Sequence, residues 1–301
     1  MKLLASLPLV LGFALLSAAS ASTGLIGSDF SGVIYDVDPA TGACTNPRST
    51  GLSQVAGFTV TADGQQGYAL TSFGSSPPNA LFSVNPTTGA AAFIGNTGLS
   101  LIGEGDLCIR PSDGTLFALW DAIGALDLFT LNPATGAATV IGPVGSATDF
   151  SGLAFAPDGS LYAFENTSLL VRLDPATGAT LETINLSGLR GTTTGTAGLA
   201  FAPDGTLYLA CGTDPDSSLY TIDPNTGAAQ WIGPTTYGDG YGLSSLTFVP
   251  EPSVMSLLLP ALAAGCRWAG KVEGRGSAGR GQRAGFSGAR LRAPACSAAQ
   301  P

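Results

Sequence analysis

The chain of 301 residues contains no histidine. That excludes Ser-His-Asp and Cys-His nucleophile systems, histidine-ligated metals and imidazole acid–base chemistry. No Gly-rich phosphate loop stands at a strand-to-helix junction. Charged residues make up 11% of the sequence, and no apolar run approaches the ~20 residues of a membrane-spanning helix. Basic residues are the scarcest. Between Thr23 and Val249, Arg48, Arg110, Arg172 and Arg190 stand against 19 acidic residues, a net charge of −15. A nucleic-acid partner is thereby excluded, since phosphate contacts need a basic surface. Cys44, Cys108 and Cys211 fall in the same stretch without a CxxC spacing. They make no disulfide framework and read as small buried apolar residues.

What the chain has in quantity is glycine, 42 residues of it, set in a repeat. The unit is clearest at Gly198–Ile232, GLAFAPDGTLYLACGTDPDSSLYTIDPNTGAAQWI. Four β-prone runs, Gly198–Phe201, Leu207–Ala210, Ser218–Ile222 and Ala228–Ile232, are separated by turn signals, and Gly233-Pro234 closes the last. In Ala202-Pro203-Asp204-Gly205, Pro presets φ, Asp bonds its own backbone and Gly accepts a positive φ. An Asp/Asn-Pro-x-Thr-Gly turn begins at Asp38, Asn85, Asn132, Asp174 and Asp223, with spacings of 47, 47, 42 and 49 residues. Asp-Gly turns at Asp63, Asp113, Asp158 and Asp204 alternate with it.

Four strands in a period of roughly 40–50 residues define a β-propeller blade. A blade cannot bury both faces alone, so the ring must close. Residues 23–46 carry only the later strands of a unit, at Leu25–Gly27, at Val33–Val37 and after Gly42. The missing first strand is at the other end, where Ser245–Glu251 aligns with Gly198–Asp204. The expectation is an all-β chain: a five-bladed β-propeller, four antiparallel strands per blade, over residues 22–249, with the first blade closed by the C-terminal strand. The units loosely resemble those of NHL and gluconolactonase-type propellers.

The two ends read differently. Residues 1–21 have a secretory signal's order: Lys2, the apolar run Leu3–Leu16, then the small-x-small pattern of Ala19 and Ala21. The alternative is an N-terminal membrane anchor. After the repeats come Pro250, Glu251 and Pro252, the apolar run Ser253–Gly265, and Arg267. Residues 250–267 resemble the PEP-CTERM sorting signal of exported bacterial proteins, with its Pro-Glu-Pro motif, apolar helix and basic end. The resemblance implies an exosortase-type processing enzyme as partner and transient membrane association through 253–266. It also implies delivery to the cell surface, outer membrane or extracellular matrix of a Gram-negative bacterium. The other reading of Val249–Pro252 is a degenerate copy of the Ala-Pro-Asp-Gly turn. Residues 268–301, basic and rich in Gly, Arg and Ala, read as disordered.

For function, the repeated Asp residues are expected to be turn formers. Asp214 and Asp216 offer oxygen ligands of the kind a calcium or other divalent ion takes, without the full loop pattern, and beyond such an ion no cofactor is expected. The junctions between blades, at Asn46–Ala56, Gly95–Gly105, Gly142–Ser151, Asn185–Ala197 and Gly233–Ser244, vary while the other turns stay constant. Ligand residues favour such loops on a rigid scaffold. Their charged and aromatic members, Glu104, Asp106, Asp149, Arg190, Tyr237, Asp239 and Tyr241, form the candidate ligand face, on which the tyrosines would stack on a sugar ring. The first expectation is a non-catalytic binding or structural module for an exopolysaccharide or a surface protein. The alternative is a metal-dependent hydrolase or lactonase using Glu104, Asp106 and Asp149 at the channel mouth. Asp106 substitutes for Gly at the start of an inner strand, which marks it as a special channel position.

Overall fold

The computed structural model describes residues 24–100, 102–103, 105–122, 125–145, 150–166, 168–191, 195–212, 217–235 and 242–249. The chain divides into two compact units, Met1–Val254 and Met255–Pro301, and all described residues lie in the first.

They form five four-stranded antiparallel sheets, the blades of a β-propeller. Blade 1 takes β1 (Gly24–Asp29), β2 (Val33–Val37) and β3 (Cys44–Ser49) from the start of the chain and β20 (Leu243–Val249) from the end. Blade 2 is β4 (Val55–Val60), β5 (Gly67–Thr71), β6 (Ala80–Val84) and β7 (Ala91–Asn96). Blade 3 is β8 (Gly105–Ile109), β9 (Leu116–Ala122), β10 (Ala125–Leu131) and β11 (Ala138–Pro143). Blade 4 is β12 (Phe150–Phe155), β13 (Leu161–Glu165), β14 (Leu169–Leu173) and β15 (Thr180–Asn185). Blade 5 is β16 (Gly198–Phe201), β17 (Leu207–Cys211), β18 (Ser218–Ile222) and β19 (Ala229–Pro234).

The expected closure is present. β20 pairs antiparallel with β1, from Gly24↔Val249 to Asp29↔Leu243. The outer strands run further than the sequence suggested. β19 includes Gly233-Pro234, β11 reaches Pro143, and β3 takes in Asn46–Ser49, which were expected to open a junction loop. Each is the outermost strand of its blade, and proline is tolerated on an edge because no neighbour needs its missing N–H.

The turns behave as the repeat requires. In each Asx-Pro-x-Thr-Gly turn the Asx side chain accepts the N–H two residues on, from Ala40, Thr87, Ala134, Ala176 and Asn225, at 2.8–2.9 Å. The glycine donates to the Asx carbonyl at 2.8 Å, with φ between +73° and +79°. That glycine also packs the ring. A side chain on Gly89, Gly136, Gly178, Gly227 or Gly42 would strike Ser49, Gly95, Gly142, Asn185 or Gly233 respectively. Each struck residue is on the outer strand of the preceding blade, and Gly42 against Gly233 joins blade 1 to blade 5.

The core is five wedges, one between each pair of neighbouring blades. The wedge holding Leu25, Tyr35, Ala210, Leu219 and Leu246 joins blade 5 to blade 1. Aromatic pairs bridge three of these seams: Phe117–Phe155, Tyr162–Phe201 and Tyr208–Phe248, with ring centroids 5.1–5.4 Å apart. Cys108 and Cys211 are buried thiols and Cys44 is half-buried, all reduced; burial pushes the Cys211 thiol up to about 12.

Candidate functional site: the axial hub and the junction face

Each blade's innermost strand, β4, β8, β12, β16 or β20, ends its sheet. One edge of each therefore faces the propeller axis with unpaired backbone N–H and C=O groups. The strands crowd at matched positions held by Gly57, Asp106, Gly152, Gly198 and Ser245. A side chain on Gly198 would lie 2.4 Å from the Ser245 carbonyl carbon, and one on Gly57 would lie 2.8 Å from the Leu107 nitrogen.

Asp106 answers the orphaned donors. It is 1% exposed. One oxygen, Oδ1, accepts from the Ser245 hydroxyl at 2.7 Å and the Leu107 N–H at 2.8 Å. Oδ2 accepts the Leu153 N–H at 3.0 Å. Ser245 Oγ in turn accepts the Phe58 N–H at 2.8 Å. Four of the five inner strands are thus tied through one carboxylate and one hydroxyl. Burial pushes the Asp106 carboxyl well above the usual carboxylate range, and hydrogen bonds from Ser245 and the Leu107, Leu153 and Phe58 N–H groups offset that only in part.

Next to the hub, toward the junction loops, is a void too small for a water molecule, bordered by Phe30, Ala56, Gly105, Ser151, Thr196 and Ser244. The hydroxyls there are engaged. Ser151 donates to Asn166 Oδ1, Thr196 to the Gly242 carbonyl, and Ser244 to the Ser28 and Val55 carbonyls. The axis is therefore blocked at the hub.

Of the residues expected on the ligand face, Asp106 and Arg190 are described. Asp106 lies sealed in the hub with both oxygens engaged, so it presents no oxygen at the channel mouth. Arg190 lies on the outer wall, its guanidinium 4.3 Å over the ring of Trp231 on β19. The structure does not bring the two together. Glu104, Asp149, Tyr237, Asp239 and Tyr241 lie outside the described residues. So do Asp214 and Asp216, the signal positions Ala19 and Ala21, and the sorting positions Pro250, Glu251, Pro252 and Arg267. Among the described residues no three of His, Cys, Asp and Glu are grouped so as to hold a metal ion.

Two polar features went unread in the sequence. Ser245 carries the hub with Asp106, and its alignment with Gly198 and Gly152 was the available signal. Asp29, wholly buried at the end of β1, accepts from Ser31 Oγ, the Val33 N–H and Tyr35 Oη at 2.8–2.9 Å and fixes the β1–β2 turn. The junction face also carries Phe73, 56% exposed, in the loop after β5. Its N–H bonds to the Ile102 carbonyl of the next junction at 2.8 Å.

The fold class is therefore a five-bladed β-propeller with a blocked axis. No family model and no curated protein matches the sequence. Solved structures match at the level of the fold. A chain of a nidogen–laminin complex aligns over 74% of this chain and 83% of its own, at 14% identity and a TM-score of 0.49. A gluconolactonase of Xanthomonas campestris aligns over 72% of this chain and 73% of its own, at 16% identity and a TM-score of 0.46. An engineered GH43 glycoside hydrolase aligns over 62% of this chain and 43% of its own, at 13% identity and a TM-score of 0.50. Fold alone assigns no role.

Proposed function

We propose that the protein is an exported, non-catalytic binding module that presents its junction-loop face to a surface polysaccharide or to another surface protein. The observation that carries this reading is the hub. A metal-dependent hydrolase would need free carboxylate oxygens at the channel mouth, and Asp106 has given both of its oxygens to backbone and hydroxyl donors. The other repeated aspartates are held in their turns by local hydrogen bonds, as Asp174 and Asp223 are. The varied junction loops on a ring of constant turns supply the recognition surface, with Phe73 as an exposed apolar platform.

Export and sorting rest on the order of residues at the two ends. Ala19 and Ala21 mark signal cleavage, Pro250–Pro252 mark the sorting cut, and the apolar run with Arg267 associates transiently with the membrane, where an exosortase-type enzyme acts on the chain. The test is the intact mass and location of the mature protein in its own host, followed by a glycan array with the purified chain. A mass without residues 1–21, a second cut near Pro250–Pro252 and glycan binding by the propeller are expected. Metal-stimulated lactone or ester hydrolysis, with no glycan or protein bound, would replace this reading with the enzymatic one.

A further inference from the structure

No described residue closes the end of the axis away from the junction loops. A funnel of about 390 Å³ lies there, bounded by the C-terminal halves of the five inner strands and by the turns that follow them. That volume is within the range of small-molecule sites, roughly 300–1,000 Å³. Three observations define what it accepts. Among the described residues, no charged side chain lines it. Its rim is apolar, because Ala62, Pro111, Pro157 and Pro203 stand at matching places in successive turns. Its wall carries free backbone groups. Thr61, Arg110, Ala156 and Ala202 each donate N–H to the carbonyl just before the second strand of their blade, on Gln66, Thr115, Ser160 and Thr206, at 2.8–2.9 Å. Alternation along the strand then turns the N–H and C=O of Val60, Ile109, Phe155 and Phe201 toward the axis. At the hub the equivalent groups meet Asp106 and Ser245. In the funnel no strand among the described residues pairs with them.

We propose that this funnel is a binding site for a small, uncharged, largely apolar molecule carrying one or two neutral hydrogen-bonding groups. Apolar walls supply most of the affinity. The inward N–H and C=O groups select for a hydroxyl, carbonyl or amine, because a ligand that displaces water from them without replacing its bonds loses affinity. An anion is rejected twice. No cation among the described lining residues compensates its desolvation inside the funnel, and the surrounding domain carries a net charge of −15. The hub floors the site, so a ligand enters and leaves by the rim alone. The site is separate from the junction face and stands or falls independently of the function proposed there.

The probe pair is N-phenyl-1-naphthylamine and 1-anilinonaphthalene-8-sulfonate, which share a skeleton and differ in one fixed negative charge. Fluorescence titration of the full chain is expected to give one saturable site for the neutral amine. The sulfonate should bind at least about tenfold more weakly, since burying its unpaired charge works against the shared apolar gain. Ala62→Trp and Pro157→Trp are exposed rim changes in two blades. Either is expected to weaken the amine at least about tenfold with the thermal transition unchanged. Equal binding of the two probes, binding indifferent to both rim variants, or no saturable binding of the amine would each overturn the proposal.

Discussion

Ser245 donates its hydroxyl proton to Asp106 Oδ1 at 2.7 Å, across 139 residues of sequence. The bond joins the inner strand of blade 3 to the strand that closes blade 1. Through the Leu153 and Phe58 N–H groups it also reaches blades 4 and 2. Removing the carboxylate leaves two buried N–H donors and the Ser245 hydroxyl without an acceptor. Asp106→Ala is expected to lower the unfolding free energy by about 3 kcal/mol. Asp106→Asn keeps one acceptor oxygen and should cost less. Urea melts at neutral pH decide it: a loss under about 1 kcal/mol for the alanine variant would mean the hub is not a stabilising centre.

The same carboxyl predicts a pH dependence. Its folded-state pKa is raised, because burial disfavours the anion. The folded chain therefore binds this proton more tightly than the unfolded chain does. The stabilisation is complete below the unfolded carboxylate value of about 3.9 and is lost as pH rises through the folded value. The stability advantage of wild type over Asp106→Asn should shrink steadily from pH 4 to pH 8. An advantage that grows with pH would reverse the sign assigned to the hub.

Crowding at the axis gives a sharper contrast between glycines. Gly198→Ala would drive a methyl into the Ser245–Leu246 backbone and should destabilise by about 3 kcal/mol through overpacking. Gly51 has a φ of +73° and open space around it. Gly51→Ala should cost about 1 kcal/mol, from backbone strain alone. Comparable melting temperatures for the two variants would show that the inner strands yield more than the geometry allows.

Closure by β20 predicts all-or-none behaviour. A chain ending before Leu243 loses the inner strand of blade 1, the Ser245 hydroxyl, and Leu246 from the wedge between blades 5 and 1. It should show no cooperative thermal transition. A cooperative transition in that truncated chain, seen by near-UV circular dichroism, would mean that four blades and an open edge suffice.

Arg190 makes a smaller prediction. Its stacking over Trp231 at 4.3 Å is an exposed cation–π contact, worth about 0.5–1 kcal/mol. Arg190→Ala should reduce stability by no more than that and leave ligand binding at the junction face unchanged. Loss of that binding with stability intact would return Arg190 to the ligand face.

The blade count, the closure of blade 1 by the last strand, and the work of the nine repeated turns were legible in the residues alone. These features are local or periodic. An Asx side chain bonds an N–H two residues away, and five copies of one signal fix where each hairpin reverses. The strand ends at Pro143 and Pro234 were less legible, because edge pairing tolerates a proline that usually signals a stop. The position of Asp106 was visible as a departure from Gly, but its role was not. Whether an axial carboxylate faces solvent or is buried among backbone donors depends on how five strands from distant parts of the chain converge. Arg190 reached the outer wall for a similar reason, since its partner Trp231 lies on β19, 41 residues on. The sealed hub and the open funnel beyond it exist only once the ring is closed, when inner edges that are solvent-exposed in any single blade are brought together around one axis.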